Sequence, residues 1–214
     1  MGYVLRKQFL ETSRGRIAEL LQRGPSTVEH LASALQLTPN AVRAQLIVME
    51  RDGLVRRAGT VPGTTRPSHR FELTAALEQL LSGAYIPLLT HMMRAFAKGV
   101  PRERLHALMR QTGRSLAAEV SGRTRPQGDL HARVRRANEF LKTELGAVTE
   151  VARQNGGFVI QGEGCPLAAI TDKEPAVCVA VESLLHELIG ATVRECCSRQ
   201  GRPRCCFEIH PAKK

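Results

Sequence analysis

All six cysteines of this 214-residue chain lie between positions 165 and 206. Thiols confined to one stretch read as a metal or redox site before they read as packing, although free cysteine also serves as a small buried hydrophobe. Cys165 follows Gly164, Cys178 comes 13 residues later, and Cys197, Gly201 and Cys205 fall at C-x3-G-x3-C. A turn at the glycine would bring the last two sulfurs toward each other. Four thiolates then converge, and such a donor set holds an iron-sulfur cluster or tetrahedral zinc. The candidate metal ligands are Cys165, Cys178, Cys197 and Cys205. Cys196, Cys206 and His210 remain alternatives, because both late positions are doubled, and the doubling also suits a redox disulfide. The wide, irregular spacing is unlike paired C-x2-C knuckles and favours a cluster, with zinc as the alternative. Arg194, Arg199, Arg202 and Arg204 would offset a cluster's negative charge, or form a solvated basic turn.

The elements that position these thiols are legible in outline. The stretch AVTEVARQNGGFVIQGEG predicts two strands joined at Asn155, Gly156 and Gly157, with Cys165 in the loop that leaves the second. Pro175 is predicted as the first position of a helix whose core face is Val181, Leu184, Leu185 and Leu188 and which ends at Gly190. Cys178 then lies near a helix amino terminus, where the thiolate is favoured.

The amino-terminal third has a different pattern. Ile17, Leu20 and Leu21 mark a first helix ending at Gly24-Pro25, and Ser26 with Glu29 predicts a capping box for a second helix carrying Val28, Leu31, Ala32 and Leu35. Thr38 before Pro39 predicts the start of a third, buried through Val42, Leu46 and Met49 and ending near Asp52-Gly53. Leu54-Val55 and Phe71-Leu73 read as strands around the basic loop RRAGTVPGTTRPSHR. Three helices and a basic hairpin form the layout of a winged helix-turn-helix. Its third helix would enter the major groove with Asn40, Arg43 and Gln45 at base edges and Thr38 at a phosphate. Arg56, Arg57, Arg66, His69 and Arg70 would meet phosphates or the minor groove.

Charge follows the same division. Residues 1–73 carry 11 Lys/Arg against 6 Asp/Glu, residues 74–140 carry 11 against 5, and residues 141–214 carry 9 of each. A basic field over two thirds of the chain attracts polyanions. No apolar run reaches the roughly 18 residues of a membrane helix and the start lacks a signal-peptide core, so a cytoplasmic location is expected. With neither a cofactor-cradling glycine loop nor a C-x-x-C pair, an enzyme is not expected, and no small-molecule substrate is evident.

The segment GCPLAAITDKEPAVC, the LLHELIG helix, C-x3-G-x3-C-x-F and the wing exit RPSHRFELT resemble SufR-type regulators. The resemblance implies a homodimer that binds an iron-sulfur cluster, typically [4Fe-4S], and controls cluster-assembly genes at a double-stranded DNA operator, usually as a repressor. Cys165 and Cys178 match the family's first two ligand positions. The expected architecture is α+β and mostly helical. A winged helix-turn-helix domain spans 1–76, a helical linker and dimerisation region 77–145, and an α+β cysteine-rich cluster-binding sensor domain 146–214.

Overall fold

The computed structural model describes residues 8–62, 67–121, 127–198 and 201–211. It divides into two compact units, Met1–Tyr85 and Ile86–Lys214.

The first unit is built on three helices, α1 (Ser13–Leu21), α2 (Val28–Leu35) and α3 (Pro39–Arg51). Each has a threonine N-cap: the Oγ1 of Thr12, Thr27 and Thr38 accepts from the N–H of Gly15, His30 and Ala41, satisfying donors that a helix start leaves open. The cap of α2 is thus Thr27 and not Ser26. Ser26 instead joins Thr27 in β1 (Ser26–Thr27), whose strand partners are Phe71 and Arg70. The cap therefore lies one residue later than expected, with no capping box, and Ser26 Oγ instead meets His30 Nδ1 at 2.6 Å.

β2 (Val55–Val61) and β3 (Ser68–Leu73) complete an antiparallel sheet of order β1-β3-β2, with a register shift between Arg57 and Thr60. Ile17, Leu31, Val42, Leu46, Met49, Val55, Phe71 and Leu73 form one core. Leu77 and Leu81 of α4 (Ala75–Leu81) belong to it too.

In the second unit α5 (Tyr85–Gly99), α6 (Arg102–Ser121) and α7 (Leu130–Thr143) precede the hairpin β4 (Thr149–Gln154) and β5 (Gly157–Gly162). Asn155 and Gly156 between the strands both have positive φ, as a tight primed turn requires. A short α8 (Ala168–Thr171), α9 (Val177–Ile189), β6 (Thr192–Glu195) and β7 (Cys206–His210) follow. The sheet is antiparallel throughout, in the order β4-β5-β7-β6. Its core joins Ile160, Phe207 and Ile209 to Val134 and Leu141 of α7 and Leu185 and Ile189 of α9.

A second cluster holds Met93, Leu105 and Met109 against Ile170, Ala176 and Ala180. The helices of 77–145, expected as a linker region of their own, are therefore shared between the two units. Their leucines cover whichever core is adjacent, and the two cores are distinct.

Helix α9 begins at Val177, two residues after Pro175. Tight i to i+3 bonds lead into it, with Cys178 N–H donating to Pro175 O at 3.0 Å, while the Glu174 carboxylate takes the Ala176 N–H at 3.2 Å. Gly190 ends it in the left-handed region at φ 63. Arg133 of α7 donates to the carbonyls of Ile189 and Gly190, placing a cation at the negative end of the helix.

Candidate metal centre and nucleic-acid interface

Cys165, Cys178, Cys197 and Cys205 line one cavity of about 20 Å³, walled by Leu141, Leu145, Leu167, Val181 and Phe207. Three stretches of chain deliver them. The loop leaving β5 is stitched to the start of β7, with Gly162 N–H donating to Cys205 O at 2.9 Å and Cys205 N–H to Gly164 O at 3.3 Å. This sets Cys165 beside Cys205. Cys178 comes from the first turn of α9, and Cys197 from the chain just past β6.

The thiols form a hydrogen-bonded row. Cys205 donates to Cys165, and this is the main reason the Cys165 thiol falls from 9.0 to about 6, helped by Thr171 and the backbone at Leu167 and opposed by burial. Donating to Cys165 is also what chiefly raises Cys205 to about 12. For Cys197 the strongest influence, a hydrogen bond from Cys178, favours the thiolate. Its own bond to Cys205, its burial and the neighbouring Glu195 outweigh this and raise it to about 12. Hydrogen bonds among the four thiols thus lower Cys165 and raise Cys205 and Cys197, while the charge of Cys178 opposes the lowering at Cys165.

The doubled cysteines separate as neighbours on an extended chain must, one to each face. Cys197 and Cys205 enter the cavity, and Cys196 and Cys206 form a disulfide. Cys206 N–H also donates to the Cys197 sulfur at 3.3 Å. A disulfide was only one of the readings open for these residues. Four thiols on one apolar-walled cavity fit a thiophilic metal in donor type, and the space among them is that of a single ion or water.

One residue was missed. A Glu195 carboxylate oxygen lies within 4.8 Å of the Cys178 and Cys197 sulfurs, and these in turn lie within that distance of each other. The available signal was strand alternation, since Glu195 shares a face of β6 with buried Val193. Of the four arginines expected to balance charge, Arg202 packs its guanidinium near Gly164, next to Cys165. Arg199 lies outside the described residues.

In the first unit, Thr38, Asn40 and Arg43 are exposed at the start and on one face of α3, and Arg43 donates to Asn40 Oδ1 at 3.1 Å. Gln45 does not share that face. Helical geometry turns it well around the axis from Asn40, and its Oε1 accepts from Arg14 of α1 at 3.1 Å. The third position of that face is Ile47, which is 60% exposed.

Arg43, Ile47, Arg57 and His69 line one groove of about 500 Å³ between α3 and the hairpin. Arg57 pairs there with Glu50 at 3.1 Å, and Arg56 pairs across the ladder with Glu72 at 2.8 Å. Arg70 is turned inward to Ala58 O at 3.4 Å. Their charges are therefore partly committed within the fold. Arg66 lies outside the described residues.

Residues 7–59 match the family model of the DprA winged helix domain. The amino-terminal unit has a winged-helix fold. That fold fits nucleic-acid binding, and α3 is its third helix. No curated protein matches the chain. Among the described residues, no helix is long and apolar enough to cross a membrane.

Proposed function

We propose that the chain is a homodimeric, DNA-binding transcriptional regulator whose four cavity thiols hold an iron-sulfur cluster, with cluster occupancy setting operator affinity. The observation that supports this most is the convergence of Cys165, Cys178, Cys197 and Cys205 on one cavity, in a chain whose other unit is a winged-helix domain. Cytoplasmic control of cluster-assembly genes, as a repressor, is the reading carried by the resemblance to SufR-type regulators. A bound cluster would supply redox sensitivity and a charge that the apolar cavity cannot hold alone. The chain's part is to present sulfurs from a loop, a helix start and a hairpin, so that their separation is coupled to how those three elements pack.

The two-fold partner is assigned to α5. Tyr85, Leu89, Met92 and Phe96 recur at spacings of four, three and four, the seam by which one helix packs on another. They are 58%, 41%, 44% and 42% exposed, whereas Met93 is the buried residue of this helix. Arg94 and Lys98 fall on the opposite face, so a second copy meets no like charge across the seam. With Ile86 and Leu88, six half-exposed side chains offer on the order of 500 Å² per copy, and the pair of faces about reaches the 1,000 Å² of a specific interface.

The test is oxygen-free purification with iron and acid-labile sulfide counts on the wild type and each Cys→Ser variant. Iron and sulfide in equal amounts are expected, lost on replacing any cavity thiol and retained in the Cys196→Ser and Cys206→Ser variants. A second reading, a regulator that senses zinc, is favoured by the single-ion size of the cavity. Zinc without sulfide decides for it.

A further inference from the structure

We propose that Glu195 is a metal ligand. With Cys178 and Cys197 it makes a mononuclear site for a thiophilic divalent cation such as Zn2+, at one end of the thiol row and accessible from the pocket beside it. This rests on the reading of the thiols as metal donors and adds a carboxylate that the cysteine pattern does not announce.

On β6 the core-facing positions are 193 and 195, and buried Val193 is followed on that face by a half-buried carboxylate. A buried charge is tolerated when it is hydrogen-bonded or coordinates a metal. Two backbone bonds fix the residue. Its Oε1 accepts from Cys197 N–H at 2.9 Å, and its own N–H donates to Glu182 Oε2 at 2.7 Å. The carboxylate is thereby held over the two sulfurs, with all three ligand atoms within 4.8 Å of one another.

Two sulfurs and one oxygen from three residues suit zinc, which binds thiolate and carboxylate alike and accepts three protein ligands with a fourth position open. The far end of the row, Cys165, is outside this group. Glu195 also differs from the thiols in what it faces. It lines a pocket of about 440 Å³ with Arg102, His106 and Glu174, whereas the sulfurs face the enclosed 20 Å³ cavity. A carboxylate that lines the larger pocket and lies within 4.8 Å of the Cys178 and Cys197 sulfurs is the natural point at which a cation enters or exchanges.

The experiment uses the full chain, oxygen-free, loaded with Zn2+ alone and measured by X-ray absorption at the zinc edge. Two sulfurs at about 2.3 Å with the remaining donors oxygen or nitrogen at about 2.0–2.2 Å is the expected shell, and four sulfurs overturns the proposal. In parallel, Co2+ is titrated into the wild type, Glu195→Gln and Cys165→Ser. Glu195→Gln keeps an acceptor for Cys197 N–H and should weaken Co2+ at least about tenfold with a changed visible spectrum, since even outer-shell partners cost that much. Cys165→Ser should bind as the wild type does. Unchanged binding by Glu195→Gln, or an equal loss from Cys165→Ser, overturns the assignment while leaving the thiols as metal donors. A wild type that takes up neither Zn2+ nor iron and sulfide removes both readings together.

Discussion

At the scale of single residues, a hydrogen bond received from Cys205 favours the Cys165 thiolate near neutral pH, unlike Cys197 and Cys205. The sign is that of a depressed acid. The thiolate dominates above about pH 6 and is lost as pH falls through that value, whereas Cys197 and Cys205 stay protonated until about 12. In reduced, metal-free protein at pH 7, alkylation followed by mass spectrometry should label Cys165 before Cys197 or Cys205, at a rate rising through pH 6. Earlier labelling of Cys197 contradicts the row. On α3, Arg43→Ala should cost about 1–3 kcal/mol on preferred duplexes selected from a random pool and little on others. An equal loss on every sequence removes Arg43 from base reading.

At the scale of elements, the crossing of α6 and α9 depends on a missing side chain. A Cβ added at Gly113 would stand 2.7 Å from the Ser183 Cβ and closer still to the Ala180 carbonyl. Neither backbone nor a short side chain yields cheaply there, so Gly113→Val should lower stability in urea by about 2 kcal/mol. A neutral result means the helices can separate without cost. The α5 seam gives a second expectation. Leu89→Glu with Met92→Glu should yield a monomer in sedimentation while the far-ultraviolet spectrum is kept, and an unchanged mass places any interface elsewhere.

Local signals made much of this legible. Thr38-Pro39 dictates a helix start through its own hydroxyl and ring, and Asn155-Gly156 dictates a primed turn. What escaped depends on partners distant in the chain. Ser26 went to a strand pairing with Phe71, Gln45 was taken by Arg14, and Glu195 acquired meaning only from Cys178 across the fold. Leucines of 77–145 read alike whether they face one core, the other core or solvent.

For the whole molecule, the cavity thiols and the winged helix lie in different units, so the coupling proposed above must appear as a difference in DNA affinity between the metal-loaded and metal-free protein. Equal operator affinity in the two states, measured anaerobically at one salt concentration, sinks the switch and leaves a constitutive binder. The winged-helix unit carries a basic field, and its arginines at positions 56 and 57 are already paired to glutamates. The dependence of affinity on salt should therefore be shallower than its arginine count implies, and Arg66→Ala should flatten the slope further, by about one phosphate contact.

The Cys196–Cys206 bond closes the hairpin around Gly201 into a covalent ring, with Cys197 and Cys205 inside the loop it spans. A protease that nicks the exposed tip would open the backbone without releasing either donor. The two pieces should travel as one species until a reductant is added, and metal uptake should survive the nick but not the subsequent reduction.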